Sequence, residues 1–138
     1  MENLQEKYKK FFSGCCYAFC LTKYFDPEAS EAQIARNALD GWDAGYIDSD
    51  GYVAKPVDFI NFIIVPEEAN VRDVEKIKIK QFSELPEGDW ICELKNPFGG
   101  SHFVIANNEG NCLFDPAGKS ESWKQNLVIS YRKYIRQR

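Results

Sequence analysis

The sequence predicts an α+β protein in which helices come first and an antiparallel β-sheet follows. Between residues 2 and 42 the apolar side chains recur every three or four positions, which is the spacing of helices. After residue 76 they alternate at every second position, which is the spacing of strands, and turns containing glycine or proline separate the short segments. We therefore expect N-terminal helices and a central buried helix that carries cysteine, packed on a C-terminal antiparallel sheet.

The first two helices are separated by a small-residue turn. Residues 2–12 have one apolar face, and Ser13-Gly14 interrupts that pattern. Residues 17–25 are apolar almost all round, which predicts an enclosed helix. Asp26-Pro27 ends this helix, because the residue before a proline disfavours the helical conformation.

Two further helical segments are indicated before the strands begin. Residues 30–33, Ser-Glu-Ala-Gln, match a capping box and predict a third helix that continues to Trp42. Residues 48–51 are typical of a turn. Pro56 begins a segment to Val65 whose spacing favours a short helix, although a buried strand is the alternative.

The second half contains the strands. Alternation and turn residues predict turns at 86–88, 96–100 and 107–110, and strands at 77–80, 90–94, 102–106, 112–114 and 127–131. The basic residues near the C-terminus are expected to form a solvated edge; they are Arg132, Lys133, Arg136 and Arg138.

Length and charge limit the classes of function. At 138 residues the chain is expected to form one domain over residues 1–138. A net charge of −4 gives no reason to expect nucleic acid as a partner. We see no signal peptide and no apolar run long enough to span a membrane, so we expect a cytoplasmic protein with no membrane partner. Its five cysteines are then expected to be reduced.

Three residues in chain order suggest thiol chemistry. Cys16 lies directly before the enclosed helix, where unpaired N–H groups and the helix dipole favour a thiolate. His102 is the sole histidine, so any cysteine–histidine chemistry must use it. Asp115 follows thirteen residues later, in a turn before Pro116.

The segment 14–19, GCCYAF, resembles the nucleophile segment of papain-like cysteine peptidases. Aligned in this way, Cys16 is the nucleophile and Cys15 takes the place of a small residue. Segments 100–105 and 114–116 are similar to the His-to-Asp-Pro part of bacteriocin-processing peptidases, which cleave after double-glycine leaders. Only 86 positions separate Cys16 from His102, and this favours that compact bacterial branch of the papain-like superfamily.

The resemblance implies a role for each residue. Cys16 would attack a carbonyl carbon, and His102 would act as acid and base. Asp115 would orient the imidazole, with Asn107 and Asn108 as alternatives. The backbone N–H of Cys16 would be one donor of the oxyanion hole.

The second oxyanion donor departs from the family pattern. The family has a glutamine six residues before the nucleophile, and that place is Lys10 here. Either Gln5 reaches the site from eleven residues upstream, or Lys10 or another group substitutes, or the hole is incomplete.

The resemblance implies a cysteine peptidase or amidase that acts on a peptide or another amide-bearing substrate without a cofactor. A cell-wall amidase of bacterial or phage type and an inactive peptide-binding module are the alternatives. We expect no metal site, because Cys15, Cys16 and Cys20 lack the paired spacing of zinc ligands.

Overall fold

The computed structural model describes residues 4–65, 70–95, 100–117 and 127–137, and the side chains of residues 4–7 lie outside this description. The described chain is α+β, with the helices first and a five-stranded antiparallel sheet after them, as predicted. Part of the predicted turn at 96–100, residues 96–99, lies outside the described residues.

Four α-helices precede the strands. They are α1 (Leu4–Ser13), α2 (Cys16–Phe25), α3 (Glu31–Asp43) and α4 (Pro56–Phe59). The Ser30 side chain accepts the backbone N–H of Gln33 at 3.1 Å, so the predicted cap of α3 forms. The backbone continues from α4 as a π-helical turn, Ile60–Ile64, so the segment after Pro56 is helical and the alternative of a strand is wrong. None of the described helices is long and apolar enough to cross a membrane.

The strands form one sheet with the order β1-β5-β2-β3-β4. Their bounds are β1 (Val71–Lys78), β2 (Asp89–Lys95), β3 (Ser101–Asn107), β4 (Cys112–Phe114) and β5 (Leu127–Arg136). The last strand therefore lies between the first two, and β2 is central, paired with β5 on one side and β3 on the other.

Two strands extend beyond the predicted segments. β1 begins at Val71, whereas alternation predicted a strand only at 77–80, and β5 continues to Arg136 beyond the predicted end at 131. Charged residues fill the start of β1, and its pairing with β5 shifts register between Val71 and Asp73, so burial does not alternate there. β1 is an edge strand, where charged side chains are tolerated.

Helix α2 is enclosed between the sheet and the other helices. Its buried residues are Ala18, Cys20, Leu21 and Thr22. Tyr17 of α2 packs on Phe103 of β3 with ring centroids 4.7 Å apart, and the Tyr17 hydroxyl hydrogen-bonds Tyr134 of β5 at 3.0 Å. The start of α2 therefore lies directly above the start of β3.

Candidate active site

Cys16 is the first residue of α2 and remains partly exposed. The chain turns just before it, where the backbone N–H groups of Gly14 and Cys15 donate to the carbonyls of Phe11 and Phe12, each at 3.1 Å. Because Cys16 occupies the first helical position, α2 offers its backbone N–H no acceptor. That N–H is therefore available to a substrate oxygen.

A second loop is pressed against this turn. A Cβ on Gly14 would overlap the carbonyl oxygen of Asp50, and a Cβ on Gly51 would overlap the carbonyl oxygen of Phe11. Gly51 also has φ +90°, which side chains rarely adopt. Both glycines are thus required for the close approach that supports the turn before Cys16.

The adjacent thiol, Cys15, is in a different environment. It is fully buried, and its Sγ donates to the carbonyl of Phe11 at 3.2 Å. Burial, followed by the charges of Cys16 and Asp48, raises the pKa of Cys15 to about 12. Cys15 is therefore held as a neutral thiol directed away from the surface.

The other three cysteines also favour the protonated form. Cys20 is completely buried, and its Sγ lies 3.4 Å from the carbonyl oxygen of Phe103. Burial raises the pKa values of Cys20 and Cys112, and it raises that of Cys92 to about 12. Cys16 and Cys112 are the cysteines with partial exposure.

The sheet brings His102 and Asp115 together. His102 is the second residue of β3, and Asp115 directly follows β4, which runs antiparallel to β3 with Ile105 opposite Phe114. The His102 Nε2 and the Asp115 Oδ1 are 2.7 Å apart, and the two side chains are 18% and 6% exposed. The backbone N–H of Ala117 donates to the same oxygen at 2.9 Å and holds the carboxylate in its turn.

Cys16 completes the row of side chains. The side-chain hydrogen bond with Cys16 has the largest effect on the His102 pKa, and it raises that pKa. Burial lowers the pKa, and the contact with Asp115 raises it again. The pKa of His102 is therefore above its ordinary value. Because Asp115 takes Nε2, Nδ1 is the ring nitrogen left to face the thiol. Cys16, His102 and Asp115 thus follow one another from a surface cleft into the protein.

The alternative orienting residues do not reach His102. Asn107 lies at the other end of β3, about 16 Å away at the usual strand rise. Its Oδ1 accepts the backbone N–H groups of Glu109 and Asn111, so it caps the turn that also contains Asn108. The alternative role of Asn107 and Asn108 is therefore wrong for this structure.

Lys10, one candidate for the second oxyanion donor, forms a salt bridge at the surface. Its Nζ lies 3.4 Å from the Asp50 carboxylate, and its side chain is 63% exposed. Gln5 belongs to α1, but its side chain lies outside the described residues. Within the described part of the site, the Cys16 backbone N–H is the donor that the geometry supplies.

Two clefts meet at Cys16, and both are lined by Cys16 and Ser101. One, which we call the His102 cleft, has a volume of about 300 Å³ and is also lined by Phe12, Phe19, His102, Pro116 and Ala117. The other, which we call the Arg132 cleft, has a volume of about 400 Å³ and is also lined by Tyr17, Tyr52, Glu93, Phe103 and Arg132. A groove therefore passes over the thiol, with His102 on one side of it.

A buried carboxylate, Glu93, lies in the Arg132 cleft together with its cationic partner Arg132. The Glu93 carboxylate accepts hydrogen bonds from Ser101 and Ser130, each at 2.9 Å, and pairs with Lys76 and Arg132, each at 3.2 Å. Burial alone would raise the pKa of Glu93, but these hydrogen bonds and the charge of Arg132 lower it to about 2. Glu93 is therefore ionised at neutral pH.

The sequence pattern did not single out this pair. The Arg132 side chain is only 14% exposed, so the expected solvated C-terminal edge is wrong for this residue. Its guanidinium lies over the rings of Tyr17 and Phe103, at 5.8 and 5.3 Å from their centroids. Only the pairing of distant strands brings these groups together, so no local sequence signal reveals them.

Comparison of the chain with protein-family models, with curated proteins and with solved structures finds no match.

Proposed function

We propose that this protein is a cysteine hydrolase, a peptidase or amidase with a papain-like fold, that cleaves an amide bond by acyl transfer to Cys16. The observation that carries the proposal is the contact of a helix-start thiol with a partly buried His102–Asp115 pair at an open groove. A Cys16-bearing helix packed on the strand that bears His102 supports the fold assignment.

The charges suit the first chemical step. The pKa of His102 is raised, so the ring keeps its proton at a pH where an ordinary histidine loses it. The Cys16 thiolate attacks the amide carbon, a C–S bond forms, and the electron pair moves to the carbonyl oxygen. The Cys16 backbone N–H donates a hydrogen bond to this oxygen. As the C–N bond breaks, the imidazolium gives its proton to the leaving nitrogen.

The second step restores the enzyme. Neutral His102 takes a proton from water, and the oxygen of that water attacks the thioester carbon. The C–S bond then breaks, Cys16 leaves as a thiolate, and His102 retains the proton. Asp115 orients the ring through Nε2 and stabilises the imidazolium.

Thiol reactivity tests the proposal. At mildly acidic pH, iodoacetamide should alkylate Cys16 about 10- to 100-fold faster than any other cysteine, because among the described residues Cys16 is the cysteine that contacts His102, whose imidazolium would favour a thiolate. Peptide mapping by mass spectrometry measures the rates. His102→Ala should abolish the preference, whereas Cys112→Ser, which changes the other partly exposed cysteine, should leave it intact.

Equal and slow labelling of all five cysteines, unaffected by His102→Ala, would contradict the enzyme proposal. It would favour the inactive peptide-binding module.

A further inference from the structure

The position of His102 relative to the two clefts orients a substrate, if the proposed function holds. The general acid must reach the leaving nitrogen, and His102 lines only the His102 cleft. The leaving-group part of the substrate therefore lies there. The acyl part, which forms the bond to Cys16, lies on the other side of the thiol, in the Arg132 cleft.

The polar groups of the Arg132 cleft differ in how many hydrogen bonds they can still make. Glu93 already accepts four contacts. A guanidinium has five N–H donors. Arg132 donates to the Ser130 Oγ at 2.7 Å, to Glu93 at 3.2 Å, and to the Tyr17 hydroxyl. Among the described residues, the other two N–H groups of Arg132 have no partner, and they are the donors that a group in the cleft would meet.

The charge balance favours an anion in that position. Glu93 contributes one negative charge, against the positive charges of Arg132 and the half-exposed Lys76. Tyr17 and Tyr134 add none at neutral pH, because burial raises the pKa of both hydroxyls. The group formed by Glu93, Arg132 and Lys76 therefore has a net positive charge, and its guanidinium lies over the rings of Tyr17 and Phe103.

We propose that the Arg132 cleft binds an acidic residue on the acyl side of the scissile amide, with its carboxylate on the free N–H groups of Arg132. The hydrogen bonds to Ser130 and Glu93 fix the guanidinium next to the rings of Tyr17 and Phe103, so its remaining donors are preoriented. Arg132 is thus a specificity-determining residue, and the substrates are peptides or amides with a carboxylate next to the cleaved bond.

Peptidyl electrophiles test this specificity. Four acyloxymethyl ketones differ only in the residue before the ketone, which is Glu, Gln, Leu or Lys, and intact-mass spectrometry follows alkylation of Cys16. The Glu probe should react about 10-fold or more faster than the Gln probe, because a charge-assisted pair replaces a neutral one. Arg132→Gln should remove this preference, and Arg132→Lys should weaken it. Lys133→Gln removes a charge from an exposed neighbour and should leave it unchanged.

A binding measurement separates this inference from the proposed function. In the Cys16→Ala protein, a peptide amide that ends in Glu should shift the Arg132 Nε–H resonance. The shift should need about 10-fold less of the Glu peptide than of the matching Gln peptide. Labelling of Cys16 without a preference for Glu would overturn the specificity and leave the hydrolase intact. Selective binding without any labelling would overturn the hydrolase and retain the anion site. Equal binding of both peptides, or a preference for Glu only on the leaving-group side, would overturn the inference.

Discussion

Cys15 and Cys16 are chain neighbours with opposite chemistry. The turn before α2 directs Cys15 inward, onto the carbonyl of Phe11, and leaves Cys16 at the groove beside His102. Burial raises the pKa of the Cys15 thiol, whereas Cys16 remains partly exposed at the start of α2. A shift of one residue in the register of this turn would therefore remove the candidate nucleophile.

The titration of His102 gives a prediction at this scale. Because it is the sole histidine, its Cε1 proton gives one resonance that needs no assignment. The pKa of His102 should be above that of a free histidine, and it should fall in both Cys16→Ala and Asp115→Asn, since both partners raise it. Asp43→Asn, an exposed change elsewhere, should not move it. A wild-type pKa at or below the free value would contradict the described contacts.

The same shift determines a pH dependence of stability. The folded pKa of His102 is raised, so protonation stabilises the folded state. This stabilisation is complete below the unfolded pKa of histidine, and it is lost as pH rises through the folded pKa. The stability lost over that window should be smaller in Asp115→Asn, which urea titrations at a series of pH values will measure.

At the scale of elements, the turn between α1 and α2 depends on a loop from elsewhere in the chain. The backbone around Asp50 and Gly51 lies against Gly14 and the carbonyl of Phe11, with too little room for a Cβ. The salt bridge from Lys10 to Asp50 spans the same contact at the surface. The position of Cys16 is thus supported by packing as well as by the helix that it begins.

Two glycine variants test whether the loop around Gly51 supports the turn before Cys16. Gly51→Ala introduces both a positive-φ penalty and an overlap with the Phe11 carbonyl, whereas Gly110→Ala introduces only the penalty, because its site is open. We expect Gly110→Ala to lower the free energy of unfolding by about 1 kcal/mol, and Gly51→Ala by about 3 kcal/mol or more. Urea denaturation measures both changes.

Cys16 alkylation by iodoacetamide should also slow in Gly51→Ala and stay unchanged in Gly110→Ala. Equal stability losses in the two variants would show that the described close approach is absent in solution.

At the scale of the whole molecule, the sheet assembles a charged group from three neighbouring strands. Lys76 of β1 lies opposite Arg132 of β5, and Ser130 of β5 lies opposite Glu93 of β2. This face of the sheet also meets the start of α2, where Arg132 lies over Tyr17. The group therefore links strand pairing to the groove.

The stability of the protein in acid should depend on Glu93. Its folded pKa of about 2 lies below the ordinary 4.5, so its contribution is present above 4.5 and is lost as pH falls towards 2. Glu93→Gln should lower the free energy of unfolding at neutral pH by about 2 kcal/mol, because it removes the charged hydrogen-bond partner of the partly buried Arg132. The variant should then lose less stability than the wild type between pH 7 and about pH 3.

Urea midpoints at the two pH values measure this effect, and Glu87→Gln, an exposed change without a described contact, is the control. An equal acid-induced loss in the wild type and in Glu93→Gln would assign the loss to other groups.

Local patterns by themselves determined much of the architecture. Helical spacing, a cap at Ser30 and turn residues depend on neighbours within a few positions, so the order of helices and strands followed from them. They also placed Cys16 at a helix start and singled out His102 and Asp115, which the structure brings together. The prediction missed the start of β1 and the end of β5. These segments are rich in charged residues, and they are strands because they pair with each other, without an alternation of apolar and polar side chains.

Only the tertiary structure decided what surrounds these residues. It buried Cys15, placed Asn107 too far from His102 to contact it, and made Arg132 partly buried. Each of these outcomes depends on contacts between segments far apart in the chain, above all the insertion of β5 between β1 and β2. Such pairings are set by the collective packing of the core, and no short stretch of sequence encodes them.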